Sequence, residues 1–163
     1  MPALGFLKIP IMYNLISTIA ERCHAAATKR GKDTSWLGCI QALHTEQREY
    51  WEARDNGRDL PDLRVLADEA NKLSDEDFAA FYGEKIHNCV TDELADVLIT
   101  AATWLRTAEL EGGENYNPDR DINALLLSGA VQFVCNRIVG PEDVERLQIV
   151  VNLKMRYNEL RED

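Results

Sequence analysis

Apolar residues recur at three- and four-residue steps along nearly the whole chain, and no stretch alternates with period two between hairpin turns. A helix brings a face back every 3.6 residues and a strand every two, so this spacing predicts an all-α fold, a helical bundle of about five to seven helices. From Ile11 to about Arg30 the apolar positions are Ile11, Leu15, Ile16, Ile19, Cys23 and Ala26 or Ala27, and Gly31 stops that helix. Asp33, Thr34 and Ser35 are candidate caps for a second helix with a stripe of Trp36, Ile40, Leu43, Gln47 and Tyr50, running to about Arg54 and ended by Asn56-Gly57. Shorter helices are expected between Leu60 and Ile86, one opening at Pro61 and another capped by Ser74 with Asp77 at its third position. Thr91 is the expected cap of the next helix, whose buried face is Leu94, Val97, Leu98, Ala101, Leu105 and Ala108. A loop over Gly112 to Pro118 and two helices, Asp121 to Val139 and Pro141 to about Leu160, complete the chain, with Gly140-Pro141 as punctuation between the last two.

A chain of 163 residues suits one domain spanning 1–163, with a substantial core. Its formal charge of −10 argues against a nucleic acid polymer as partner, because phosphate neutralisation needs a surplus of Lys and Arg on one face. A small phosphorylated ligand is still compatible, since divalent cations bridge acidic side chains to phosphate oxygens. Cys23, Cys39, Cys89 and Cys135 lie far apart with no Cys-x-x-Cys pair, which reads as buried free thiols in a cytoplasmic protein. At the start, Lys8 precedes an apolar stretch, yet Pro10, Tyr13 and Asn14 and a pattern continuing past Glu21 point to a helix rather than a secretory leader. The uncharged run from Ile122 to Asn136 is shorter than the roughly 18 to 20 residues that cross a bilayer, so no membrane association is expected.

The chemistry-bearing feature is a pair of acidic motifs within apolar helices. Glu46 and Glu49 are three residues apart in the second helix, and Glu93 and Asp96 repeat that spacing in the helix that follows Thr91. Residues at i and i+3 share a helix face, so two such helices packed together would form a four-carboxylate cage. Crowded carboxylates repel one another and raise their own pKa values unless a cation sits among them, and a hard divalent ion is the natural compensation. Acids at this spacing are common on solvated helix faces, and it is the doubling of the motif in apolar surroundings that gives it weight. His24, His44 and His87 have no metal-ligand spacing and read as structural or surface residues, while Trp36, Trp51 and Trp104 read as core.

Glu46-x-x-Glu49 followed by Asp92-Glu93-Leu94-Ala95-Asp96-Val97-Leu98-Ile99 resembles the signature of the all-α nucleoside triphosphate pyrophosphohydrolases, the MazG-like superfamily that includes dimeric dUTPases and dCTP pyrophosphatases. Lys154-Met155-Arg156-Tyr157-Asn158 is similar to the family's C-terminal Lys-Met-x-x-Asn segment, and His24 to Gly31 is a weaker echo of the helix before the first motif. The resemblance implies a MazG-like all-α architecture, and hydrolysis of a nucleoside triphosphate between the α and β phosphates to give the monophosphate and pyrophosphate. It further implies Mg2+, with Mn2+ as a substitute, bound by Glu46, Glu49, Glu93 and Asp96. Glu46, or alternatively Glu49, would orient the attacking water, Lys154 would offset phosphate charge, Asn158 would hydrogen-bond to phosphate or sugar, and the chain would form a homodimer or homotetramer. Thr45 stands where the family often has a further Glu, and the interval between Glu49 and Glu93 is longer than in the smallest members. Two alternatives stand beside this reading: a phosphoribosyl-ATP pyrophosphatase-like enzyme, which has a similar acidic pattern on a normally shorter chain, and a catalytically inactive interaction module on the same scaffold, which the Thr45 departure keeps open.

Overall fold

A computed structural model describes the backbone of residues 2–115, 117 and 122–162, and the side chains of 8–115, 117 and 126–162. Seven α-helices lie within these residues: α1 Pro2–Lys29, α2 Trp36–Asp55, α3 Leu63–Ala70, α4 Asp75–Lys85, α5 Val90–Gly112, α6 Ile122–Cys135 and α7 Pro141–Leu160. A 3-10 turn at Gly113–Asn115 follows α5, and there is no strand among the described residues, so the expected all-α bundle is the observed one.

The centre of the bundle is α5. Leu94, Val97, Leu98, Ala101, Leu105 and Ala108 are buried as the periodicity predicts, and Ala95, Ala102 and Trp104 are buried as well. A helix buried on most of its circumference has to be surrounded, and α1, α2, α6 and α7 pack around α5, while α3 and α4 pack on α7 at one side. One continuous core runs through all of these elements, from Met12 and Ile16 on α1 to Val150 and Val151 on α7.

Local chemistry accounts for most helix ends. The Ser35 hydroxyl accepts from Gly38 N at 3.2 Å to cap α2, and the Ser74 hydroxyl accepts from Asp77 N at 3.4 Å to cap α4. At the far end of α2, Gly57 takes φ 65°, the left-handed conformation glycine adopts without strain. Helix α7 has the expected bounds, with Pro141 in its first turn and Asp143 Oδ2 accepting from Val139 N at 2.8 Å and Gly140 N at 3.3 Å.

Several boundaries differ from the sequence reading. Helix α1 runs through Pro10 rather than opening at Ile11; a proline removes one N–H from the ladder without compelling the helix to stop there. Pro61 lies in a turn, and α3 opens two residues later at Leu63. Helix α6 ends at Cys135, four residues short of Val139, and the expected start at Asp121 lies outside the described residues, as do Tyr116 and Pro118 of the expected loop.

The buried stripe of α2 is Cys39, Leu43, Tyr50 and Ala53, with Trp36 41 % exposed, so the helix is turned from the expected face. The cap of α5 is Cys89 rather than Thr91: Asn88 adopts φ 68°, and the Cys89 sulfur accepts from Asp92 N at 3.3 Å. All four cysteines are free and buried. Among the described residues no helix is long and apolar enough to cross a membrane.

Candidate metal centre

The turned face of α2 brings Glu46 inward. Its buried positions 39, 43, 50 and 53 leave one vacancy in the alternating four- and three-residue rhythm, at position 46, and the residue there is a glutamate. Opposite it, the first turn of α5 carries Asp92 and Glu93, both buried in spite of their charge. One carboxylate oxygen each from Glu46, Glu49 and Glu93 lie within 4.8 Å of one another, and so do one each from Asp92, Glu93 and Asp96. The structure therefore brings Glu46, Glu49 and Glu93 together, and Asp96 joins them through Glu93. Asp92 is a fifth acid that sequence reasoning had not placed in the site.

These acids are not equivalent. Asp92 accepts hydrogen bonds from the Tyr82 hydroxyl, from Asn88 N at 2.9 Å and from Lys154 Nζ at 3.0 and 3.2 Å, and its Oδ2 lies 3.2 Å from His87 Nδ1. Burial pushes its pKa up, but His87, Lys154, Tyr82 and Asn88 outweigh burial and hold it at about 2. Lys154, 1 % exposed, also reaches Asp96 at 3.2 Å and stands 3.2 Å from His87 Nδ1. Burial works against the lysine's charge, and the two aspartates reverse that effect and raise its pKa. Asp96 is pushed up to about 6, because burial and the neighbouring Asp92 charge exceed the pull of Lys154.

On the other side of Glu93 the compensation is weaker, since burial and the neighbouring acids raise the pKa of Glu46 and Glu93 by more than Lys154 lowers it. Glu46 is raised to about 9 by burial and then by Asp96, Glu49 and Glu93; Glu93 is raised to about 8 by burial and then by Asp96, Asp92 and Glu49. Glu46 Oε2 and Glu93 Oε2 are buried with no hydrogen-bond partner. Unpartnered buried carboxylate oxygens are costly. The donor set is all oxygen. Oxygens about 2.1 Å from a magnesium ion are about 3 Å apart when adjacent and about 4.2 Å when opposite, and the oxygens here, within 4.8 Å of one another, are close enough to share one hard divalent cation.

A cavity of about 360 Å3 adjoins this group, with Glu46 and Asp96 on its wall. Arg22, Arg30, Lys32 and Arg161 bring positive charge to the same wall, and Cys39, Ile99 and Met155 give it an apolar side. Its edge is the α1–α2 connection, where Gly31 has φ 72° and Thr34 O accepts from Thr107 Oγ1 of α5 at 2.6 Å. Gly38 is required there: a Cβ would stand 2.4 Å from Asp33 O. Asn158 lines the cavity with Oδ1 buried and unpartnered, whereas Lys154 does not line it and is committed to Asp92 and Asp96.

Sequence reasoning missed Asp92, Tyr82 and His87. A signal for the first was present: Lys154 and Asn158 continue the stripe of Leu147, Val150 and Val151 on α7, so a lysine placed inward required buried acids facing it. Trp104 is buried, Trp36 and Trp51 are about two-fifths exposed, and none of the three lines the cavity. Comparisons of the chain with protein families, with curated proteins and with solved structures found no significant match.

Proposed function

We propose that this chain is a magnesium-dependent nucleoside triphosphate pyrophosphohydrolase that cleaves the α–β phosphoanhydride to give the monophosphate and pyrophosphate. The observation that carries the reading is the crowded group of Glu46, Glu49 and Glu93 beside a cavity with arginines and a lysine on its wall. Acids that need a cation, next to bases that need an anion, suit a metal–polyphosphate ligand. The motif resemblance to the MazG-like superfamily agrees with it.

Glu46, Glu49, Glu93 and Asp96 would hold Mg2+, or Mn2+ in its place. Bound there, the ion supplies a Lewis acid for phosphoryl oxygens and lowers the pKa of water. Of Glu46, Glu49 and Glu93, Glu46 is the one on the cavity wall, which supports it as the carboxylate that orients a water and takes its proton at Oε2. The water oxygen bonds to the α phosphorus, the bond to the bridging oxygen breaks, and pyrophosphate leaves with that electron pair. Arg22, Arg30, Lys32 and Arg161 offset polyphosphate charge. The unpartnered Asn158 Oδ1 accepts from a sugar hydroxyl, and Lys154 acts from behind the site by fixing Asp92 and Asp96.

Exposed Trp36, Leu37 and Trp51 on α2 favour a homo-oligomer, and four reduced, buried thiols favour a cytoplasmic protein. The experiment is incubation with Mg2+ and each common and modified nucleoside triphosphate, separating pyrophosphate from orthophosphate. Pyrophosphate is the expected product. Orthophosphate alone rules out the proposed bond, and no product from any substrate leaves a binding module. Sedimentation showing only an 18.5 kDa species overturns the oligomer.

A further inference from the structure

We infer that a second cavity, where the end of α2 meets the start of α5 and α7, is a cation-independent site for a small molecule bearing a phosphate group. It has a volume of about 320 Å3, and Arg54 of α2, Arg137 of the α6–α7 connection and Arg146 of α7 all line it. This inference does not depend on the catalytic reading of the acidic site.

The three arginines have no carboxylate partner among the described residues. Arg22, Arg64, Arg106 and Arg156 each reach a carboxylate, as expected where 28 acids outnumber 18 basic residues. Among the described residues the three around this cavity hydrogen-bond only to neutral groups: Arg54 to the Tyr50 hydroxyl at 3.2 Å, Arg137 to Phe133 O at 2.7 Å and Arg146 to Leu60 O at 2.7 Å. None of them forms an ion pair among the described residues. Arg137 Nε is buried without a partner.

Arg137 is also held in place before any ligand arrives. Its guanidinium lies 3.7 Å from the Phe133 ring centroid, 4.7 Å from that of Trp51 and 5.6 Å from that of Tyr50. Stacking of this kind fixes a guanidinium while leaving its in-plane N–H donors for an oxyanion. Two aspartates share the wall. Asp143 Oδ2 caps α7 and Asp59 is exposed, and three arginines against two aspartates leave the wall net positive by one charge.

The donor arrangement selects the ligand class. A carboxylate offers two oxygens in one plane and is satisfied by a single guanidinium fork. Three guanidiniums from three different elements suit the three terminal oxygens of a phosphate monoester. Leu94, Ile138 and Leu147 supply an apolar wall for the organic part.

The test titrates inorganic phosphate and glycerol phosphate into the full chain by calorimetry, with EDTA present to keep divalent cations from the acidic site and with ionic strength fixed by sodium chloride. Saturable one-to-one binding is expected, tighter for the ester. Arg54→Gln and Arg146→Gln should each weaken it about 10-fold, the scale of one charged hydrogen bond, while Arg22→Gln at the other cavity leaves it unchanged. Arg54 is exposed, so its variant decides the matter if loss of the Arg146 contact to Leu60 unfolds the chain. Non-saturable binding, affinity unchanged in Arg54→Gln, or affinity lost only in Arg22→Gln overturns the inference.

Discussion

Asp92 and Glu93 are neighbours in the first turn of α5, both are almost wholly buried, and they stand in opposite electrostatic states. Asp92 faces α4 and α7, where Tyr82, His87, Asn88 and Lys154 satisfy it, and it stays ionised down to about pH 2. Glu93 faces α2, where it meets Glu46 and Glu49, and its pKa rises to about 8. One side of the turn thus carries its own counter-charge and holds the helices together. The other side has carboxylates that Lys154 offsets only weakly, with a cavity beside them. Residue type does not separate scaffold from site here; whether the partner across the interface is a lysine or another acid does.

The largest expected effect is on the compensated side. Lys154→Met leaves Asp92 and Asp96 buried without their cation, and urea denaturation should show a loss of about 3–5 kcal/mol. A loss below about 1 kcal/mol would break the comparison, because Lys154 would then not be the internal counter-ion.

Next comes the weakly compensated side. Magnesium at about 100 times its dissociation constant should add about 2.7 kcal/mol to the wild type, read as a raised melting temperature, and Glu93→Ala should abolish that gain. An equal gain in the variant would put the ion elsewhere.

The two sides also predict opposite pH responses in cation-free protein. Glu46 and Glu93 have folded pKa values of about 9 and about 8, above the ordinary value of 4.5, so their stabilisation is complete below about pH 4.5 and is lost as pH rises toward 9. The slope approaches about 1.4 kcal/mol per pH unit for each group, and Glu46→Gln should flatten it in denaturation curves taken from pH 5 to 9. Asp92, held at about 2 against an ordinary 3.8, gives stability that is complete above about pH 4 and lost as pH falls toward 2. Stability rising between pH 5 and 9 without added cation would contradict the assignment.

Asn158→Ala should have the smallest effect on stability, under about 1 kcal/mol, because Oδ1 has no partner to lose. In the pyrophosphatase assay the same variant should raise KM about 10-fold with little change in kcat. A reversed split would move Asn158 from binding to chemistry.

The periodicity of the apolar residues determined the helical class, the buried face of α5 and the bounds of α7, because a 3.6-residue repeat is a property of the chain alone. The acids at 46, 49, 93 and 96 were legible for the same reason, through their spacing within apolar segments. Rotation of α2 was not legible, since a stripe that admits Gln47 and one that admits Glu46 differ by a single residue, and only packing against α5 chooses between them. Nor was the partner of Lys154, a lysine expected to offset phosphate charge: its place on the buried stripe of α7 signals an acid facing it, and only the packing shows that acid to be Asp92, 62 residues away. Charge compensation depends on distances of a few ångströms between groups remote in sequence, and those distances exist only once the helices have packed.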